Sequence, residues 1–115
     1  MKTGAELIAD ERKRQIEEEG FSLEHDAQYT NYELVNAAMC YLLTESNRVY
    51  DRIRLISCMS EYKDKDVNDI TIPPSLWPWD KEWWKPSPDN RIRELAIVGA
   101  LAAAEIDRLQ NLQNN

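Results

Sequence analysis

The sequence is poor in the residues from which many enzyme sites are built. Its 115 residues include one histidine, two cysteines and three glycines. A zinc site of several histidines is excluded, and three scattered glycines do not form a glycine-rich phosphate loop. Neither a Ser-His-Asp nor a Cys-His pattern is recognisable, which makes hydrolysis through a covalent nucleophile unexpected. We therefore expect no catalytic residues, no metal and no cofactor.

Long apolar runs and an excess of basic residues are also missing. No segment is apolar over the length of a bilayer, and the start of the chain lacks the apolar core of a secretion signal, so we expect a cytoplasmic protein that contacts no membrane. The net charge of −7 argues against general nucleic-acid binding, because affinity for a phosphate backbone depends on a basic surface. The length suits one domain, residues 1–115. Cys40 and Cys58 are expected to be buried free thiols rather than a disulfide.

Two segments have the end signals of helices, and both begin with a capping box. Thr3 and Glu6 open the first helix, which is expected to end near Glu19 because Gly20 can adopt a left-handed conformation. Thr30 to Glu33 open the second, expected to reach about residue 45. The apolar residues predicted to face inward from the first helix are Ala5, Ile8, Ala9 and Ile16.

A third helix is expected from Ser87, as cap, to about Leu112, with Pro88 at its first position. A weaker pattern indicates a further helix over residues 48–59. The predicted fold is therefore all-α, with three to four helices and a long loop rich in tryptophan and proline. Residues 95–104 are apolar or glycine throughout, and Gly99 and Ala103 would let another helix approach closely, so we expect a homo-oligomer.

All four tryptophans fall within eight residues, in a segment that contains several prolines. Because proline removes backbone donors, this segment is expected to be an irregular loop. Its indole rings either lock the loop onto the helices or form a wall on which a flat ligand stacks. Arginines grip phosphate oxygens, so the two residue types together indicate a nucleotide pocket. The expected ligand-binding residues are Arg12, Phe21, His25, Asp26, Trp77, Trp79, Trp83, Trp84, Lys85, Arg91 and Arg93.

The single histidine allows three interpretations. His25 follows the first helix and can be a catalytic base, a metal ligand or a loop residue hydrogen-bonded to its neighbours. Asp26 and Glu24 can join acids of the helices around Mg²⁺, or these acids can simply face solvent. The residues alone leave these interpretations open.

Several motifs resemble a family of small phage and prophage proteins. They are Glu11-Arg12 with Gln15, Glu19-Gly20-Phe21, Glu24-His25-Asp26, Trp77-Pro78-Trp79-Asp80 and Trp83-Trp84-Lys85-Pro86. The likeness covers the chain except residues 46–70. This chain has Phe21 where the relatives usually have tryptophan, and Ala27 where they have a further acid. The family implies a location in the host cell cytoplasm.

A more distant likeness is to the small RyR-type domain, which rests on the order of a charged helix, a glycine with an aromatic residue, and an Asp-bearing loop. That resemblance implies recognition of a nucleotide-derived ligand. It leads to the hypothesis of a non-enzymatic phage protein that sequesters a cyclic oligonucleotide or an ADP-ribose-type defence signal. The enzymatic alternative is a MazG-like Mg²⁺-dependent pyrophosphohydrolase, although its paired Glu-x-x-Glu and Glu-x-x-Asp patterns are not both present. A third hypothesis is a protein-interaction module, since clustered tryptophan and arginine are also typical of interface hot spots.

Overall fold

The computed structural model describes residues 1–29, 32–42, 73 and 76–113. Within these residues it consists of helices and loops, with no strand. The helices are α1 (Gly4–Glu19), α2 (Leu23–Asp26), α3 (Glu33–Leu42) and α4 (Arg91–Gln113), and a 3₁₀ turn covers Lys81–Trp83. The all-α class is confirmed. The predicted helix at 48–59, the Thr30 cap, the end of the second helix near residue 45 and the state of Cys58 lie outside the described residues.

The ends of α1 agree with the sequence prediction. The Thr3 side chain accepts a hydrogen bond from the Glu6 backbone N–H at 3.2 Å, and the Glu6 carboxylate accepts one from the Thr3 N–H at 3.0 Å. Gly20 has a φ of 74°, which is the left-handed conformation expected after the last turn. Local chemistry is therefore enough to set both ends of this helix.

The inner face of α1 agrees in part with the apolar pattern, since Ile8 packs against Gly99 of α4 but the buried residues are polar. The buried residues of this helix are Glu11 and Gln15, whereas Ala5 and Ala9 are exposed and Ile16 is 42% exposed. Burial of a carboxylate is tolerated here because two guanidinium groups contact it. Because Glu11 and Gln15 are buried, this part of α1 borders something other than an apolar core.

The predicted start of the last helix is also wrong. The helix α4 begins at Arg91, and the Asn90 side chain accepts a hydrogen bond from the Arg93 N–H at 3.1 Å, which is the role of a cap. Ser87 instead lies in a turn that closes with the Asn90 N–H bonded to the Ser87 carbonyl. The Ser87 N–H donates to the buried Glu94 carboxylate at 2.9 Å. Ser87 therefore precedes the helix by a turn and is bonded to its first turn.

The core forms around α4, which packs against the other three helices. Cys40 is fully buried, as predicted. No helix in the described part of the chain combines the length and the apolar character needed to cross a bilayer. The buried apolar residues are Leu34, Ala37, Ala38, Cys40, Tyr41, Trp84, Ile97, Ala100, Leu101 and Ala104.

Gly99 marks a close crossing of α1 and α4. A Cβ added at Gly99 would lie 2.5 Å from Ile8 Cδ1 and 2.6 Å from Ile8 Cγ1. The small residue noted in the sequence thus serves a contact within the chain.

We expect Gly99→Ala to lower the free energy of unfolding by about 1–2 kcal/mol, because overpacking costs about 1–3 kcal/mol and exceeds the gain of about 1 kcal/mol from a better helix former. In an Ile8→Ala background, the same substitution should instead stabilise the protein. Urea denaturation of the wild type, the two single variants and the double variant measures the sign of the change in the free energy of unfolding in each background. Equal effects of Gly99→Ala in the two backgrounds would mean that Ile8 does not limit the crossing.

Candidate ligand-binding site

A cavity of about 760 Å³ opens between α1, the segment around α2, α4 and the loop that carries Trp77, Trp79, Trp83 and Trp84, which we call the tryptophan loop. Its volume falls within the range of roughly 300–1,000 Å³ that is typical of small-molecule pockets. Seven aromatic or imidazole rings line it, namely Phe21, His25, Tyr29, Tyr41, Trp77, Trp79 and Trp83. Ile97 and Leu101 of α4 supply aliphatic surface. The cavity therefore combines a size suited to a small ligand with a largely aromatic wall.

The rings of the wall hold one another in place. Phe21 and His25 stack with their centroids 5.5 Å apart and their planes within 15°. Trp79 lies 5.9 Å from Phe21 and 5.8 Å from Tyr29 between ring centroids, and it meets Trp77 edge-on at 5.4 Å. Such pairs contribute about 0.5–1.5 kcal/mol each beyond area burial. The tryptophan loop is thus fastened to the segment around α2 by ring contacts, while the same rings still border the cavity.

Trp84 has a different position from the other three tryptophans. It is 6% exposed and belongs to the apolar core. Its ring centroid lies 4.8 Å from that of Tyr41 and 5.0 Å from that of Trp77. Trp83, the preceding residue, is 47% exposed and lines the cavity, with Lys85 Nζ 5.5 Å from its ring centroid. One tryptophan therefore anchors the loop, and its neighbour is available to a ligand.

Charged side chains of both signs border the cavity. The basic ones are Arg14, Lys85 and Arg93, and the acidic ones are Glu11, Glu19 and Asp80. The formal charges of these six groups cancel. The part of the lining that the structure describes is thus not the strongly cationic site that a polyphosphate would require.

Glu11 is the centre of the charged network. Its carboxylate accepts hydrogen bonds from Arg14 at 2.9 and 2.7 Å and from Arg93 at 3.0 Å. Arg14 also contacts Glu19 at 3.1 Å. Burial tends to raise the pKa of Glu11, but the two arginines outweigh burial and hold this pKa below its ordinary value. Glu11 is ionised at neutral pH and neutralises much of the charge of the two guanidinium groups.

Gln15 places a polar group deep in the wall of the cavity. Its side chain lines the cavity although the residue is only 2% exposed. The Oε1 atom has no hydrogen-bond partner among the residues that the structure describes. A buried acceptor without a partner costs about 1–3 kcal/mol, so its retention needs a reason.

Arg12 and Asp26 lie behind the aromatic wall rather than in it. Asp26 is fully buried, and its carboxylate lies 3.1 Å from His25 Nδ1 and 3.4 Å from an Arg12 nitrogen. Arg12 also donates to the Phe21 carbonyl at 2.9 Å. Burial raises the pKa of Asp26 above its ordinary value, although His25 and Arg12 act in the opposite direction. The pair fixes the positions of Phe21 and His25.

Arg91 holds two helices together and does not reach the cavity. Its guanidinium donates to the Tyr41 carbonyl at 3.0 Å and to the Leu42 carbonyl at 2.8 Å. It also contacts Glu94 at 3.3 Å. These bonds satisfy carbonyls at the end of α3 and tie that end to the start of α4.

The structure brings together seven of the eleven residues proposed from the sequence, namely Phe21, His25, Trp77, Trp79, Trp83, Lys85 and Arg93. The other four, Arg12, Asp26, Trp84 and Arg91, lie outside the lining and support it. Sequence reasoning did not assign lining roles to Glu11, Arg14, Gln15, Glu19, Tyr29, Tyr41, Asp80 and Ser87. The spacing of residues 11, 15 and 19 carried a usable signal, because side chains four apart share one helix face.

The described residues contain no cluster of three or more His, Cys, Asp and Glu side chains placed to hold a metal ion. The Mg²⁺ interpretation of the acids near His25 therefore has no geometric support within this part of the chain. No family model, curated protein or solved structure matches the sequence or the fold.

Proposed function

We propose that this chain is a cytoplasmic binding protein whose aromatic cavity holds a flat, nucleotide-derived small molecule. The observation that carries the proposal is the set of ring faces around a cavity of 760 Å³. Stacking of a base on an aromatic side chain contributes about 1–3 kcal/mol and tolerates different bases. Sequestration of a nucleotide-derived defence signal by a phage protein is one role that such a cavity can serve.

Three features of the cavity support binding without a catalytic step. The residues that reach the ligand space are mainly rings and paired charges. His25 Nδ1 is engaged by Asp26, and its ring is stacked on Phe21. Arg93 and Lys85 border the same cavity as the rings and supply positive charge to it.

A panel of nucleosides, mononucleotides and cyclic dinucleotides tests the proposal by thermal shift and by quenching of tryptophan fluorescence. A ligand present at 100 times its Kd stabilises the folded state by about 2.7 kcal/mol. Trp83→Leu should weaken binding at least about tenfold. Tyr32→Leu is the matched control because Tyr32 is 71% exposed and does not line the cavity. The proposal fails if no compound of the panel shifts the melting temperature, or if both variants weaken binding alike.

We also propose that the protein is a homo-oligomer that pairs through α4. Leu95, Ile106 and Leu109 are 45, 56 and 44% exposed, and their spacing of eleven and three residues places them on one side of the helix. Ile106→Glu should therefore reduce the mass measured by light scattering, whereas Ile16→Glu, the same change at a 42% exposed position on α1, should leave it unchanged. A wild-type mass of one chain at micromolar concentration would refute this part of the proposal.

A further inference from the structure

Gln15 is a buried amide at the wall of an otherwise aromatic and ion-paired cavity. The residue is 2% exposed, its side chain lines the cavity, and Oε1 lacks a partner within the described part of the chain. Trp79 Nε1 in the same wall also lacks a hydrogen-bond partner among the described residues, whereas Glu11 is bonded to Arg14 and Arg93. Oε1 itself has almost no accessible surface in the structure, and rotation of the amide about its last side-chain torsion is the movement that brings this acceptor to a molecule in the cavity.

We propose that Gln15 Oε1 accepts a hydrogen bond from an N–H of the ligand's base, either a ring N–H or an amino group. The cavity then selects nucleobases that present such a donor on their edge. This inference rests on the proposed function, since it concerns the same cavity. Amides of glutamine and asparagine are well suited to the edges of bases, as in their bidentate contacts with adenine. The rings bind the faces of the ligand, and Gln15 reads its edge.

The charge of the cavity narrows the ligand class further. Arg14 and Arg93 both contact Glu11 within 3.0 Å, whereas Lys85 has no ion pair among the described residues. Because the six charged groups that the described residues contribute to the lining cancel formally, this part of the cavity favours a nucleoside or a ligand with about one negative charge over a triphosphate. Selection then depends on the base edge more than on phosphate charge.

Two pairs of nucleosides isolate the N–H donor. Purine riboside is adenosine without its amino group, and 3-methyluridine is uridine with its ring N–H blocked, so each pair keeps the sugar and the stacking face. Isothermal titration should show that the donor-bearing member binds at least about tenfold more tightly, which is the ratio for one hydrogen bond of about 1.4 kcal/mol. A second titration with AMP and ATP should show no gain for the triphosphate.

Gln15→Met removes the acceptor at similar volume and should abolish the tenfold preference while the donor-free nucleosides still bind. Its melting temperature without ligand should be equal to or above that of the wild type, because an unpaired buried acceptor is lost. Gln28→Met, at an exposed position outside the cavity, is the control and should keep the preference.

The outcomes separate the two proposals. Equal binding of donor-bearing and donor-free nucleosides to the wild type overturns the role of Gln15 but leaves an aromatic ligand site. A preference that persists in Gln15→Met also overturns it, because another group would then read the edge. Binding of none of these nucleosides, AMP or ATP overturns the role of Gln15, and the nucleotide-binding function is overturned with it when the cyclic dinucleotides of the thermal-shift panel also fail to bind.

Discussion

Replacement of Trp84 by alanine is expected to lower the free energy of unfolding by about 3–5 kcal/mol, whereas Trp83→Ala should cost less than about 1 kcal/mol. The two residues are adjacent in the sequence and undergo the same chemical change. They differ in burial, since Trp84 is 6% exposed and Trp83 is 47% exposed. For a domain of this size, the larger loss is a substantial part of the total stability of roughly 5–15 kcal/mol.

The physical reason is the space that each side chain leaves behind. Trp84 fills the core between Tyr41 and Trp77, so its removal creates a cavity that the helices close only in part. Trp83 loses mainly exposed contacts, including the Lys85 ammonium over its ring, and an exposed contact of this kind contributes about 0.5–1 kcal/mol. Trp83→Ala should instead weaken ligand binding while the fold is kept.

Urea denaturation followed by far-ultraviolet circular dichroism measures both variants without depending on tryptophan emission. The assignment of Trp84 to the core is contradicted if the two substitutions cost the same. It is also contradicted if Trp83→Ala is the more destabilising variant. Near-wild-type stability of both variants would show that the tryptophan loop is not anchored through ring burial.

These neighbouring tryptophans illustrate what could be predicted from the sequence. Their clustering with prolines was sufficient to predict an irregular aromatic loop, because that inference depends only on local chemistry. The choice of which ring is buried depends on where Tyr41 of α3 lies, and that is a tertiary contact. The sequence therefore located the candidate site but did not separate its anchor from its binding surface.

The starts of α1 and α4 show the same difference between what the local sequence determines and what it leaves undetermined. Thr3 caps α1 because its partner Glu6 lies three residues away. Ser87 and Asn90 are both good cap residues, and in the structure Asn90 accepts from the Arg93 N–H while the Ser87 N–H is bonded to Glu94. Local pattern alone ranks these two residues equally.

Gln15 and Glu11 were missed as lining residues because polar side chains on a helix usually face solvent. Of the apolar residues predicted to face inward from α1, Ile8 packs against Gly99, whereas Ala5, Ala9 and Ile16 are exposed. In retrospect, a helix with few apolar residues and polar residues at 11, 15 and 19 is consistent with a helix that borders a site. The pairing of Glu11 with Arg93 could not be inferred, because the two are 82 positions apart in the chain.

Glu11→Gln is expected to be the most informative substitution in the charged network. It should lower the free energy of unfolding at pH 7 by about 2–3 kcal/mol, since removal of one partner from a buried ion pair costs about 3–5 kcal/mol and the arginines here are partly solvated. Arg14 and Arg93 are 31 and 40% exposed in their side chains, whereas that of Glu11 is 4% exposed. Glu18→Gln is the matched control because Glu18 also pairs with Arg14, at 3.6 Å, but is 67% exposed. It should cost less than about 0.5 kcal/mol.

The pH dependence of the free energy of unfolding tests the role of Glu11 independently. The pKa of Glu11 is lower in the folded protein than its ordinary value of 4.5. The unfolded state therefore binds the proton more tightly, and Glu11 stabilises the protein above pH 4.5. This contribution is lost as the pH falls through the folded-state pKa. Denaturation at pH 7, 5, 4 and 3 should show a smaller loss of stability in Glu11→Gln than in the wild type across the acidic range.

Glu11→Gln should lower stability but strengthen the binding of an anionic ligand. Loss of the Glu11 charge leaves Arg14 and Arg93 less neutralised beside the cavity, so the affinity for AMP relative to adenosine should rise at low ionic strength and fall back as salt is added. Glu18→Gln should leave this ratio close to that of the wild type. A stable Glu11→Gln protein with an unchanged ratio would show that the two guanidinium groups do not act on the ligand. An unstable one with an unchanged ratio would assign the network to folding alone.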